Sequence, residues 1–173
     1  MVPHRSLPLA VLVASAALGL VTGVAAVVVA RGDDGSRGGA VADRTVDAPY
    51  GLRVLRAWDA RRSRAFAHGD GAALADLYVP GSRTGAVDRA VLRGYRERGL
   101  RVIGMRTQVL AATVLRESDR RLVLLVTDVL VGAVAADRDE LRWALPHDRP
   151  STRRVVLVRS GGSWRVAEAY AVD

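Results

Sequence analysis

"HGDGAALADLYVPGS", residues 68–82, decides how the rest of the chain divides. Gly69 is placed to take the left-handed position that closes a helix running up to it. Asp70 is a residue type whose side chain caps the next helix. That next helix is short, "GAALADLY", and Leu74, Leu77 and Tyr78 fall on one side of it. Pro80-Gly81-Ser82 then makes a turn. The stretch therefore separates two helical segments and predicts that their apolar faces meet across it.

Working outward toward the N-terminus, Leu52, Val54, Leu55, Trp58, Ala65 and Phe66 lie on one arc at helical spacing, while Arg53, Arg56, Arg61 and Arg64 lie opposite. This predicts an amphipathic helix over 52–67. Toward the C-terminus the spacing predicts a third helix over 85–98, with Val87, Ala90, Val91 and Tyr95 toward the core and Gly99 ending it. Beyond it the period becomes extended. Residues 101–116, 120–134, 153–160 and 163–171 are rich in Val, Leu and Thr and predict strands. Glu117-Ser118-Asp119 and Gly161-Gly162 mark hairpin turns, the second a two-residue loop suited to positive φ at both positions. Helices first and an antiparallel sheet after them make an α+β domain over 49–173.

The composition narrows the chemistry. All 26 basic residues other than the three His are Arg, and the chain has no Lys, Asn or Cys, with Ile103 and Phe66 alone of their types. Residues with A/T-rich codons are missing together, so a G/C-rich coding sequence accounts for much of the bias. The net charge of +8 is spread over the whole domain, with no compact Arg run interleaved with aromatics, and no nucleic-acid partner is expected. Without Cys there is no disulfide, no thiolate chemistry and no lipidated Cys anchor.

Residues 7–30, "LPLAVLVASAALGLVTGVAAVVVA", carry no charge. At 1.5 Å per residue such a run makes about 36 Å of helix against roughly 30 Å of hydrocarbon. Arg5 and the small residues near the end also fit a cleaved signal peptide, whose apolar core is usually shorter, about 7 to 15 residues. The preferred reading is a retained signal anchor. It gives a short tail over 1–6, a transmembrane helix over 7–30 and a Gly-, Asp- and Arg-rich flexible linker over 31–48. The short tail and signal-like order place the soluble domain outside the cytoplasm, beside the bilayer of the cell membrane. Ser15, Gly19 and Gly23 recur every fourth residue and offer a close-packing face for a homodimer.

The order of a helix, "HGD", a short helix, "LYVPGS", a third helix and long strands ending in "GGSWRVAEAY" resembles the nuclear transport factor two-like superfamily over residues 52–172. That superfamily includes ketosteroid isomerases, polyketide cyclases and membrane-tethered domains of actinobacteria. The resemblance implies a cone-shaped domain, three helices packed on a curved antiparallel sheet. Its motifs are structural, and fold alone does not give function.

A site on such a sheet would appear as polar residues in apolar places. Asp128 interrupts "LVLLVTDVLVG", where an unpaired carboxylate is costly. A symmetrical turn at 117–119 sets Gln108 opposite Asp128 and Arg106 diagonal to it, an alignment that a one-residue slip breaks. The Gly161-Gly162 hairpin sets Arg153, Glu168 and Tyr170 on one face. On the first helix Arg62 sits inside the apolar arc and Asp59 at its edge. Asp59, Arg62, Arg106, Gln108, Asp128, Arg153, Glu168 and Tyr170 are thus the candidate lining of one cavity, with Asp128 the candidate general base.

The competing reading is that these residues are ion pairs closing the cone. His4, His68 and His147 show no metal spacing, so no metal is expected. No Walker-type phosphate loop is possible without its Lys, no Ser lies in a nucleophile elbow, and no cofactor is expected. Arg89, Arg93 and Arg96 form a stripe on the third helix, suited to solvent or to anionic head groups. The favoured function is a membrane-anchored, non-catalytic domain that binds a partner protein or an apolar ligand. An accessory role beside another membrane or envelope protein is a weaker variant of it. A tethered isomerase or dehydratase using Asp128 is the alternative.

Overall fold

The computed structural model describes residues 49–139, 141–146 and 148–172. The expected tail, transmembrane helix and linker, with Ser15, Gly19 and Gly23, lie outside the described residues, as does His147. Among the described residues no helix is long and apolar enough to cross a membrane.

Three helices come first: α1 (Tyr50–His68), α2 (Gly71–Ala75) and α3 (Arg83–Glu97). Seven strands follow: β1 (Arg101–Ile103), β2 (Arg106–Glu117), β3 (Arg121–Val131), β4 (Val134–Ala136), β5 (Arg142–Ala144), β6 (Ser151–Ser160) and β7 (Ser163–Ala171). The fold is α+β, with helices on antiparallel sheets. The expected helix breaks hold locally. Gly69 adopts φ 65° and its N–H reaches Phe66 O. The Asp70 carboxylate accepts from the N–H groups of Ala72 and Ala73 at 3.0 and 2.9 Å. Ser82 Oγ accepts from Gly85 N and opens α3.

α1 buries Val54, Leu55, Trp58, Ala65 and Phe66, the arc that its spacing predicts. α3 buries only part of the expected face, with Tyr95 buried and Val91 half-buried against the core. Val87 is 48% exposed and Ala90 is exposed, while Gly85, Asp88, Leu92 and Tyr95 are buried. Two causes rotate the helix. A Cβ on Gly85 would lie 2.6 Å from Cγ of Tyr78, so the absent side chain lets the Tyr78 ring lie against α3. Asp88 is drawn inward by Arg62 and Tyr78.

The main sheet has the order β2-β3-β6-β7, and β1-β4-β5 form a second, smaller sheet. The two expected long strands are each broken where Gly104 and Gly132, both at φ 70°, face each other. A Cβ on Gly104 would sit 2.7 Å from the Gly132 carbonyl oxygen, so only paired glycines let the hairpin turn this corner. β5 is a strand that the sequence pattern does not announce. It pairs with β4 through Ala135↔Trp143 and extends the small sheet. The Gly161-Gly162 turn forms as expected, at φ 58° and 77°.

The helices cover one face of the main sheet. Leu122, Leu124 and Val126 of β3, Val155 and Leu157 of β6 and Val166 of β7 meet Trp58, Leu74, Leu77, Tyr78 and Leu92 there. Trp58 donates to Leu77 O at 2.9 Å and packs edge-on against Tyr78, with ring centroids 5.5 Å apart.

Candidate functional site

The chemistry-bearing residues sit between the helices and the inner face of the main sheet. Period two in the strands decides which of them can enter. On β3, Leu122, Leu124, Val126 and Asp128 point inward as one alternating set, and Asp128 is 4% exposed. Its register partner on β6 is Ser151, and Val126 pairs with Arg153, which places Arg153 diagonally beside Asp128 on the same face. Arg153 donates to Asp128 Oδ2 from Nη2 at 2.6 Å and from Nε at 3.2 Å. The arginine side chain stays 39% exposed. Burial pushes the Asp128 carboxyl above the usual carboxylate range. Arg153 opposes that shift, and the charges of Asp59 and Asp148 add to it.

On the opposite wall α1 and α3 supply a tighter group. Arg62 donates to both oxygens of Asp88, from Nε at 2.5 Å and from Nη2 at 2.8 Å. Tyr78 donates its hydroxyl to Asp88 Oδ2. Arg62 also lies over the Phe66 ring at 5.2 Å and reaches Met105 Sδ at 3.7 Å. Burial alone would raise the Asp88 carboxyl, but the hydrogen bonds and charge of Arg62, with the Tyr78 hydroxyl, outweigh it and hold Asp88 below its ordinary value. Burial and the Asp88 charge raise the Tyr78 hydroxyl far above the usual phenol range. Asp59, half-buried on α1, accepts from Thr107 Oγ1 at 2.7 Å and Thr107 N at 3.2 Å, fastening α1 to the start of β2.

Four of the eight candidate residues therefore face this interior: Asp59, Arg62, Asp128 and Arg153. The other four do not. Gln108 pairs with Val129 and Arg106 with Val131, and Val109 takes the place opposite Asp128. The turn after β2 is wider than a symmetrical one, since Glu117 pairs with Leu122, and bulges at Leu110 and Leu115 restore only part of the difference. The remaining offset is odd, so Arg106 and Gln108 move to the outer face and are exposed. On β7 a bulge at Ala167 has the same effect. Glu168 pairs with Val156 and Tyr170 with Arg154, both on the outer face, and Tyr170 is 45% exposed.

Asp88 is a site residue that the sequence reading misses. A signal was present: Gly85, Asp88, Leu92 and Tyr95 follow helical spacing, and that stripe competes with the one through Val87 and Val91. Among the described residues no group of His, Asp or Glu has metal-ligand spacing. Two open surface clefts, near His68 and on both sides of it, are lined by residues other than Asp128 and Asp88.

No protein-family model and no curated protein sequence matches the chain. Solved structures similar to it include Aln2 from a Streptomyces species, at 17% identity and TM-score 0.47, covering 71% of this chain and 90% of that one. Another is an NTF2-like protein with a cystatin-like fold from Novosphingobium aromaticivorans, at 19% identity and TM-score 0.43, covering 71% and 82%. A third is the intermembrane space region of the chloroplast protein ARC6, at 18% identity and TM-score 0.48, covering 73% and 96%. The NTF2-like, cystatin-like description is that of the superfamily the sequence resembles.

Proposed function

We propose that the chain is a single-pass, membrane-anchored binding domain, its folded part outside the cytoplasm, which engages a partner protein without turning over a substrate. The observation that carries this reading is the closure of the polar interior by its own side chains. Asp88 is held by Arg62 and Tyr78, and Asp128 by Arg153, so both buried carboxylates already have cationic partners. The outer face of the main sheet supports the same reading. Its centre holds Val123 and Val156, buried at 2% and 8%, with Leu125, Thr127, Val129 and Val158 half-buried around them, between Arg116, Arg121 and Arg154. Beside it the uncharged middle of edge strand β2 exposes Leu110 and Leu115 at 50% and 49%. An exposed apolar area with a charged rim is the usual form of a protein-binding surface.

The uncharged run over 7–30 supports the anchor. Native mass spectrometry of the detergent-solubilised complex tests the reading. A copurifying polypeptide released by Leu110→Glu with Leu115→Glu supports it, whereas a stoichiometric apolar small molecule with no polypeptide replaces the partner by a ligand. Alkaline phosphatase fused after Asp173 is expected to be active; a fusion active only with a cytoplasmic reporter reverses the orientation.

The raised Asp128 carboxyl favours a second reading, an isomerase or dehydratase with Asp128 as general base. Its partner Arg153 is open enough to solvent to swing away. Enzyme-catalysed deuterium exchange at carbon acids next to a ketone, lost at least 100-fold in Asp128→Asn without loss of fold, would establish it in place of the first.

A further inference from the structure

A cleft of about 570 Å3 opens on the surface where α1 and α3 both end. Its charged lining comes from four separate places: His68 at the end of α1, Arg96 in the last turn of α3, Arg101 at the start of β1, and Arg138 between β4 and β5. Among the described residues no carboxylate lines it. The side chains of Arg96, Arg101 and Arg138 make no hydrogen bond or ion pair among the described residues. Two neighbouring acids are engaged elsewhere. Glu97 faces Arg93 at 4.0 Å, and Asp137 Oδ1 accepts from the N–H groups of Asp139 and Leu141.

A plain structural reason exists for part of this lining. Each helix C-terminus carries roughly half a negative charge, which favours His68 and Arg96 in the last turns. Two such ends supply about one negative charge against three guanidiniums, so a surplus of about two positive charges stays in a concave site. The adjoining cleft, about 500 Å3, shares His68 but differs in charge, because Asp70 and Asp76 line it beside Arg61, Arg64 and Arg165. A concave site whose described lining holds three guanidiniums and no carboxylate calls for an anion.

We propose that the cleft formed by His68, Arg96, Arg101 and Arg138 binds a phosphate dianion, either on a soluble molecule or on a lipid headgroup. A phosphate monoester carries about −1.5 to −2 at pH 7 and three terminal oxygens. That matches both the surplus charge and the number of guanidinium forks, each able to give paired charge-assisted hydrogen bonds. The site lies at the end of α1 opposite Tyr50, and it uses neither Asp128 nor Asp88.

Calorimetric titration of the full detergent-solubilised chain with inorganic pyrophosphate, at matched ionic strength, tests this. Saturable binding is expected, weakened at least tenfold in R101A/R138A and in R96Q, and within twofold of wild type in R116A/R154A. The last variant removes the same charge from the outer face of the sheet. Equal weakening in R116A/R154A would reduce the effect to net charge and overturn the proposal, as would absence of saturable binding. Flotation with phosphatidylcholine vesicles with and without phosphatidic acid, whose headgroup is a phosphate monoester, identifies the source. Vesicle binding displaced by pyrophosphate supports a headgroup, and pyrophosphate binding without vesicle binding supports a soluble phosphate.

Discussion

Asp88 on α3 and Asp128 on β3 face the same interior from opposite walls, and they are 8% and 4% exposed. Burial of this degree would push either carboxyl upward. Yet Asp88 lies below its ordinary value and Asp128 above it. The difference is in the partners. Arg62 is packed over Phe66 and meets Asp88 with two parallel hydrogen bonds, and Tyr78 adds a third donor. Arg153 gives both its hydrogen bonds to one oxygen of Asp128 from a half-open position, and two further carboxylates, Asp59 and Asp148, bear on it. A buried charge is held by enclosed, convergent donors and is only tolerated beside a half-exposed one.

The largest break in this comparison is expected at Asp88. Asp88→Ala leaves the Arg62 guanidinium and the Tyr78 hydroxyl without their acceptor, and removing one member of a buried pair costs about 3–5 kcal/mol. For a domain of this size that is a fall in Tm on the order of 10–20 °C, followed by circular dichroism. Replacing both charges, as in Arg62→Met with Asp88→Leu, should recover most of the loss, because the unpaired charge causes it. A Tm for Asp88→Ala within about 2 °C of wild type would remove the Arg62–Asp88–Tyr78 group from the account of stability.

Tyr78→Phe sharpens the contrast at a smaller scale. It keeps the ring against Trp58 and Gly85 and removes only the hydroxyl donated to Asp88. A hydrogen bond to a charged group is worth about 1.5–3 kcal/mol, and Arg62 remains, so a loss near the low end is expected. The same change should raise the pH at which the domain unfolds in acid, since it removes one cause of the low Asp88 value. An unchanged acid midpoint would mean that Arg62 alone sets it.

The two walls also differ in how far their sequences announce them. α1 is legible because its buried face is one unbroken helical stripe from Val54 to Phe66, with Arg62 visibly inside it. The Gly69-Asp70 break and the Gly161-Gly162 turn are legible because their conformations are local. Strand register is not local. The bulges at Leu110, Leu115 and Ala167 involve residues indistinguishable from their neighbours, and each moves every later side chain to the other face. The single Ala167 bulge turns Glu168 and Tyr170 outward. On β2 the two bulges cancel in parity, and the wider turn after Glu117 leaves Arg106 and Gln108 outward. β3 and β6 pair without a bulge, and Asp128 meets Arg153. Asp88 is hidden for a different reason. Val87 and Val91 offer a competing apolar stripe, and the choice falls to Gly85, where Tyr78 needs the space of a missing Cβ, and to the Arg62 and Tyr78 donors that draw Asp88 inward.

The smallest effect, and the most discriminating, is expected from Asp128→Asn. At neutral pH the change should fall within about 1 kcal/mol, because loss of the Arg153 pair is offset by relief from burying an ionised carboxylate. The pH dependence separates the two sites. A carboxyl whose value is lowered in the fold adds stability above its unfolded value, near 3.8, and loses it as pH falls toward the folded value. Wild type should therefore gain on Asp88→Asn between pH 3 and pH 7. A carboxyl whose value is raised has the opposite sign, because from about 3.8 upward the unfolded chain releases its proton first and stability declines until the folded group ionises too. Asp128→Asn should accordingly gain on wild type over that interval. Urea unfolding of the three proteins at pH 3, 5 and 7 gives both slopes. Parallel slopes would mean that Asp128 is as firmly held as Asp88, and that Arg153 does not leave it for solvent or for a substrate.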